Sequence, residues 1–256
     1  MRIVWSGSRS LNLGLVVSMA ILVGCGGSEA TASRELLVSA AASLTDVFAA
    51  MESAFEEANP DVDVVINLAS SSALREQILE GAPVDVFASA DISNMEDVVD
   101  AGKTGGEQHV FATNTLQIAV PAGNPAGVSG LHDFDRNELL IGLCFEDVPC
   151  GRLARESLEN AGVTPAIDTN EPDVRSLLTK LELGELDAGI TYVTDIAAAG
   201  GEVDGIDIPE EDNVMTEYPI AVMADGPDAE ISNAFIDFVL SDEGQSILAG
   251  LGFGSP

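Results

Sequence analysis

Two serines stand where the chain passes from an extended apolar run into an amphipathic one. Ser43 follows the run 36–40, and Ser71 follows the run 62–68. At such a junction the first N–H groups of the coming helix lack partners, and a hydroxyl beside them can donate in the same direction. An anion set there gains neutral hydrogen bonds and the positive end of a helix dipole without needing Lys or Arg. The competing use of either serine is as a helix cap serving its own backbone. Two serines in successive turns shift the balance towards a site.

Other reactive residues are few. The chain has three cysteines and two histidines. His109 and His132 are far apart and stand at no ligand spacing from the cysteines, which argues against zinc. Cys144 and Cys150 form an even pair that an oxidising compartment would bridge, with free thiols or a metal pair as the alternatives. A bridge over so short a loop is worth only about 2 kcal/mol, so it would shape a loop more than staple a fold. Asp133, Asp135 and Asn137 imitate the start of a calcium loop, but Glu138 and Cys144 occupy its glycine and glutamate positions. No Walker sequence, G-x-S-x-G elbow or H-E-x-x-H helix occurs. Glu56-Glu57 and Glu210-Glu211-Asp212 read as solvated acidic turns.

The elements that would carry the two serines alternate between short strands and helices, the pattern of an α/β fold with largely parallel sheets. Strands are expected at 36–40, 62–68 and 84–89. Between them lie a helix carrying Leu44, Val47, Phe48, Met51 and Phe55, ended by Asn59-Pro60, and one carrying Leu74, Ile78 and Leu79. A strand at 116–120, ending at Pro121, is a first crossing into a second lobe. That lobe has strands near 139–144 and 189–193 and helices near 152–161 and 174–183, the latter stopped by Gly184. A return strand at 219–224 leads to a tail whose Phe235, Phe238 and Val239 share a face, with Ser241 capping a last helix. Two lobes joined by two crossovers leave a cleft that strand ends and helix starts reach from both sides.

The N-terminus and the charge set the surroundings. Arg2 and Arg9 precede an uncharged apolar stretch, 11–23, too short to span a bilayer and suited to a signal peptide. It runs into Leu22-Val23-Gly24-Cys25-Gly26, which resembles a bacterial lipobox in which Cys25 is acylated after cleavage; an ordinary secretory signal is the alternative. Residues 1–24 are therefore expected to be a lipoprotein signal peptide, and 25–34 the lipidated cysteine with a flexible tether. The net charge is −33. Such a surface repels nucleic acid and anionic lipid headgroups.

The motifs, taken in order, resemble the molybdate-binding proteins of ABC importers, the ModA family. They are Val38-Ser39-Ala40-Ala41-Ala42-Ser43-Leu44-Thr45, Ala69-Ser70-Ser71-Ser72-Ala73-Leu74 and Gly81-Ala82-Pro83-Val84-Asp85-Val86-Phe87-Ala88-Ser89-Ala90-Asp91. Val148-Pro149-Cys150-Gly151-Arg152, Asp173-Val174-Arg175, Gly189-Ile190-Thr191-Tyr192-Val193-Thr194-Asp195 and Tyr218-Pro219-Ile220-Ala221-Val222 follow. The resemblance implies a two-lobed type II periplasmic-binding-protein fold, with 35–117 plus 222–256 as one lobe and 118–221 as the other. It implies a bound molybdate or tungstate, with hydroxyls of Ser43 and Ser71, backbone N–H groups of Cys150 and Val174, and the phenol of Tyr192 as donors. No cofactor, no direct protein–metal ligand and no catalytic residue is implied.

A donor-only shell suits a fully deprotonated anion. Cys150 departs from the family's small alanine, which a backbone donor tolerates; a Cys144–Cys150 bridge would fix the loop that offers its N–H. The implied protein is a monomeric, lipid-anchored binding protein on the outer face of the cytoplasmic membrane, serving an ABC permease with a cytoplasmic ATPase. The alternatives are another anion such as sulfate, an anion-sensing lipoprotein for a signalling partner and, more remotely, a serine hydrolase.

Overall fold

The computed structural model describes residues 33–256; the signal, the lipobox and Cys25 lie outside them. The chain opens with β1 (Arg34–Ala41), a short 3-10 turn at Ala42–Leu44, α1 (Thr45–Ala58), β2 (Val62–Ala69), α2 (Ser71–Leu79), β3 (Val86–Ala88) and α3 (Ile92–Asp100). Then come β4 (His109–Pro121), β5 (Ile141–Cys144), α4 (Pro149–Asn160), β6 (Thr169–Glu171), α5 (Val174–Glu182), β7 (Ala188–Tyr192), α6 (Val193–Ala198) and β8 (Val203–Asp207). The chain ends with β9 (Met215–Val222), α7 (Ala229–Leu240) and α8 (Asp242–Gly250).

The apolar spacing read from the sequence places α1, α2, α4, α5 and the tail helices as expected, whereas α3 and α6 come in addition. In α1 the buried residues are Val47, Phe48, Met51 and Phe55, one stripe of a 3.6-residue period. Ser241 caps α8 by accepting the Gly244 N–H at 3.2 Å.

The strands run in the order β2-β1-β3-β9-β4-β7-β5-β6, with β8 added alongside β4. β1 pairs in parallel with β2 and β3, and β5 with β6 and β7. The sheet is more mixed than the alternating pattern predicts, because β9 runs antiparallel to β3 and β4, and β4 runs antiparallel to β7 and β8. These two strands link the halves, and neither is half of a parallel crossover unit. β4 is also longer than the expected 116–120: its first half pairs with β9 and its second with β7 and β8.

Three hydrophobic clusters result among the described residues, the smallest around Leu74, Phe87 and Met95. Of the other two, one gathers Leu36, Phe48, Phe111, Tyr218 and Phe235, and the other Leu116, Ile141, Leu153, Leu177 and Ile190. β4 leaves one core and enters the other between Phe111 and Leu116, so a single strand carries the chain across.

Candidate functional site

The ends of β1 and β7 and the starts of α2, α4 and α5 converge on one small cavity lined by Ser43, Ser71, Cys150, Val174 and Tyr192. All five residues singled out from the sequence are thus brought together. The space open to the centre of a water-sized sphere is about 20 Å³. That exceeds the roughly 10–15 Å³ a water requires and falls far below the roughly 300–1,000 Å³ of sites for drug-sized ligands. A small inorganic solute fits this scale; a sugar or peptide does not.

Local backbone structure explains why the donors are free. Ser71 is the first residue of α2, but capping falls to Ser70, whose hydroxyl accepts the Ala73 N–H at 3.3 Å. The Ser71 Oγ instead accepts the Ala90 N–H at 2.9 Å, which fills a lone pair and leaves its own proton to donate. Ser43 sits in the 3-10 turn with its Oγ 3.0 Å from the Tyr218 Oη. In α4, Pro149 takes the first position, where a missing N–H costs nothing, and Cys150 follows it. In α5 the Asp173 carboxylate caps the helix through the Ser176 N–H at 2.8 Å. Among the described residues the N–H groups of Cys150 and Val174 have no acceptor.

Tyr192, at the end of β7, is 1% exposed, and its hydroxyl has no hydrogen-bond partner among the described residues. An ordinary buried tyrosine bonded to a neighbouring carbonyl is therefore not what is found. Burial above all, then the neighbouring Tyr218 and Asp91, pushes its pKa well above the usual phenol value. It remains a donor at any physiological pH.

The loop before α4 is closed by the Cys144–Cys150 disulfide, with Cα atoms 5.9 Å apart. Gly151 completes it. A Cβ there would overlap the Phe145 carbonyl oxygen and stand 2.6 Å from that of Cys144. The nearby cations are engaged elsewhere. Arg152 donates to Asp91 at 2.6 Å, and Arg175 pairs with Asp46. Both ion pairs run between the two halves of the molecule, as does the Ser72 hydroxyl bond to the Asp147 carbonyl at 2.6 Å. The halves are closed over the cavity, and its donors are neutral.

The sequence from residue 36 to 254 matches the model of the bacterial extracellular solute-binding proteins. The molybdate-binding protein ModA of Mycobacterium tuberculosis (strain H37Rv) is 35% identical over 98% of this chain and 99% of its own. The chain belongs to this solute-binding family. Among solved structures, the periplasmic molybdate-binding protein of Azotobacter vinelandii aligns with a TM-score of 0.76 at 19% identity, covering 86% of this chain and 99% of that one. The sulfate-binding protein SubI of Mycobacterium tuberculosis aligns at 0.77 and 20%, covering 86% of each. At such identities these two establish that the binding protein shares their α/β periplasmic-binding fold, and nothing about its ligand.

Three participants escape sequence reasoning. Tyr218 reads there only as part of the return strand, Asn114 stands out in no motif, and the Ala90 N–H that positions Ser71 carries no side-chain signal.

Proposed function

We propose that this binding protein captures molybdate or tungstate outside the cytoplasmic membrane and hands it to an ABC importer. The observation that carries the reading is the convergence of five neutral donors, from both halves, on one small cavity: the hydroxyls of Ser43, Ser71 and Tyr192 and the N–H groups of Cys150 and Val174. A tetrahedral dianion has only acceptors to offer and uses every donor, whereas a neutral or protonated solute would leave some unpaired. Neutral donors bind the charge without burying an opposing one. The similarity to ModA proteins over nearly the whole chain supports the choice of ligand.

Capture proceeds by closure. Ser43 and Ser71 belong to the half built on β1 and β2, and Cys150, Val174 and Tyr192 to the half built on β5 and β7. The donors complete a shell only when the lobes meet, so the anion favours the closed state through contacts the open state lacks. The closed form then docks on the permease. In this reading the protein is a monomer with no catalytic role and no cofactor, held to the membrane by lipid on Cys25. Among the described residues no helix is long and apolar enough to cross a membrane.

Uptake of radiolabelled molybdate by cells with and without the protein tests the role. Loss of high-affinity uptake, restored by the wild-type chain and not by Ser71→Ala, is the expected result. Undiminished uptake would contradict it.

A further inference from the structure

Behind Ser43, away from the cavity lining, lies a chain of polar groups that the donor shell alone does not use. Asn114 is 5% exposed, and its Oδ1 accepts the Thr115 N–H at 3.0 Å. A backbone N–H can only donate, so the amide orientation is fixed and Nδ2 must face the other way. It donates to the Thr194 hydroxyl at 2.9 Å and to the Tyr218 Oη at 3.4 Å. Tyr218 is fully buried, its ring held edge-on by Phe111 and Phe253 with centroids 6.2 and 5.5 Å away. Burial raises its pKa, so the hydroxyl keeps its proton.

Within 3.5 Å that proton has one acceptor among the described residues, the Ser43 Oγ at 3.0 Å, because the amide nitrogen cannot accept and the neighbouring Tyr192 hydroxyl lies farther off. The sequence of donation is therefore set: Asn114 to Tyr218, Tyr218 to Ser43. With a lone pair of Ser43 filled from behind, its proton is left for the cavity.

We propose that Asn114 and Tyr218 are positioning residues that hold the Ser43 hydroxyl as a donor, and so select fully deprotonated oxyanions against those that carry a proton. This rests on the oxyanion reading of the cavity and adds to it the source of its discrimination. Ser71 is aligned in the same way by the Ala90 N–H, but there the donor is backbone and cannot be altered by substitution. The relay behind Ser43 is the part of the shell whose polarity side chains decide. Hydrogen phosphate facing Ser43 meets donor against donor. Molybdate and sulfate do not, so size must separate those two.

The relay can be reversed. Asn114→Asp keeps an acceptor for the Thr115 N–H but replaces the amide donor with an acceptor. Tyr218 then donates to the new carboxylate, accepts from Ser43, and leaves Ser43 presenting a lone pair. Isothermal titration of the full chain at about pH 8, where molybdate and hydrogen phosphate carry the same charge, cancels the added carboxylate charge in the ratio of their dissociation constants.

The phosphate-to-molybdate ratio is expected to fall at least tenfold in Asn114→Asp, and by less in Tyr218→Phe, whose unpinned Ser43 can turn either way. Adding Asn114→Asp to the Tyr218→Phe background should change the ratio no further, a coupling that a general loss of packing would not produce. If Asn114→Asp does not fold, Tyr218→Phe alone decides by the same ratio. A ratio constant within twofold in the variants that fold, or an Asn114→Asp effect that persists without the Tyr218 hydroxyl, overturns the relay while the oxyanion reading stands. A wild type that prefers phosphate overturns both, because its site would not select fully deprotonated oxyanions. A wild type that binds none of the oxyanions overturns both.

Discussion

Ser71 and Tyr192 are both donors in this account, yet their own partners within the protein differ, and this separates binding from stability. The Ser71 hydroxyl satisfies the buried Ala90 N–H, whereas the Tyr192 hydroxyl satisfies nothing among the described residues. A hydrogen bond to a charged partner is worth about 1.5–3 kcal/mol, so loss of either hydroxyl should weaken anion binding about 10–100-fold. Ser71→Ala should also lower the melting temperature by orphaning an N–H. Tyr192→Phe should leave it unchanged or raise it, because an unpaired buried hydroxyl is removed. Calorimetric titration and thermal melting of the two variants check this; equal destabilisation by both would refute the assigned roles.

Asp195 carries the pH dependence at this scale. It is fully buried, its Oδ2 accepts the Tyr192 N–H at 3.1 Å, and its Oδ1 lacks a hydrogen-bond partner among the described residues. Burial raises its pKa from 3.8 to about 7; Arg175, 3.9 Å away, and the Tyr192 N–H oppose the rise, and Asp173 adds to it. The native state therefore holds a proton that the unfolded chain releases, and this group's contribution to stability declines as pH rises from about 4 to about 7. Asp195→Asn stays neutral. Its melting temperature relative to wild type should climb through that window and level off above it, and parallel curves would show that Asp195 does not titrate there.

Ser43 and Ser71 were legible in the sequence because a hydroxyl at a strand-to-helix junction has few uses. Cys150, Val174 and Tyr192 came only with the family resemblance, since a backbone N–H has no residue type. Asn114 and Tyr218 act through partners about 80–175 positions away in sequence, a distance no local pattern reports.

At the scale of elements, the start of α4 is the most constrained part of the site. Pro149, the Cys144–Cys150 bridge and the side-chain-free Gly151 together hold the Cys150 N–H where the cavity needs it. The chain-entropy value of so short a loop is about 2 kcal/mol, so reduction should lower the melting temperature by only about 4–8 °C. Anion affinity should fall severalfold as the N–H loses its fixed direction. Thermal melts and titrations with and without reductant measure both, and unchanged affinity would show that the helix start needs no bridge.

The helices with strong apolar stripes, α1, α4 and α5, were legible nearly to their ends. α3 was not anticipated, although Asp91 caps it, because its buried face is only Asn94, Met95 and Val98. β6 and β8 were missed for a related reason. Three residues of β6, only one of them buried, and a β8 with one buried residue leave no alternation to read.

The whole molecule is an acidic body with a net charge of −33, in which the proposed function sets a site for an anion. The two are compatible because the field of dispersed surface carboxylates is screened within about 8–10 Å at physiological salt, while the donors act by contact. Closure is where charge acts locally. Arg152–Asp91 and Arg175–Asp46 join the halves and occupy the arginines that follow the cavity-lining residues Cys150 and Val174 in α4 and α5. The mixed sheet follows from this plan too: β4 and β9 must run between halves, and strands that do so meet their neighbours antiparallel. The sequence shows where the crossings lie, but not their direction, because the alternation of buried and exposed residues along a strand reads alike whichever way its neighbours run.

The central claim, that the small cavity between the halves takes a fully deprotonated oxyanion, is tested most directly by calorimetric titration of the protein with molybdate, tungstate, sulfate and phosphate. One-to-one binding of molybdate and tungstate, with sulfate and phosphate far weaker, is the predicted result. Binding of none of the four, or of phosphate ahead of molybdate, would contradict it.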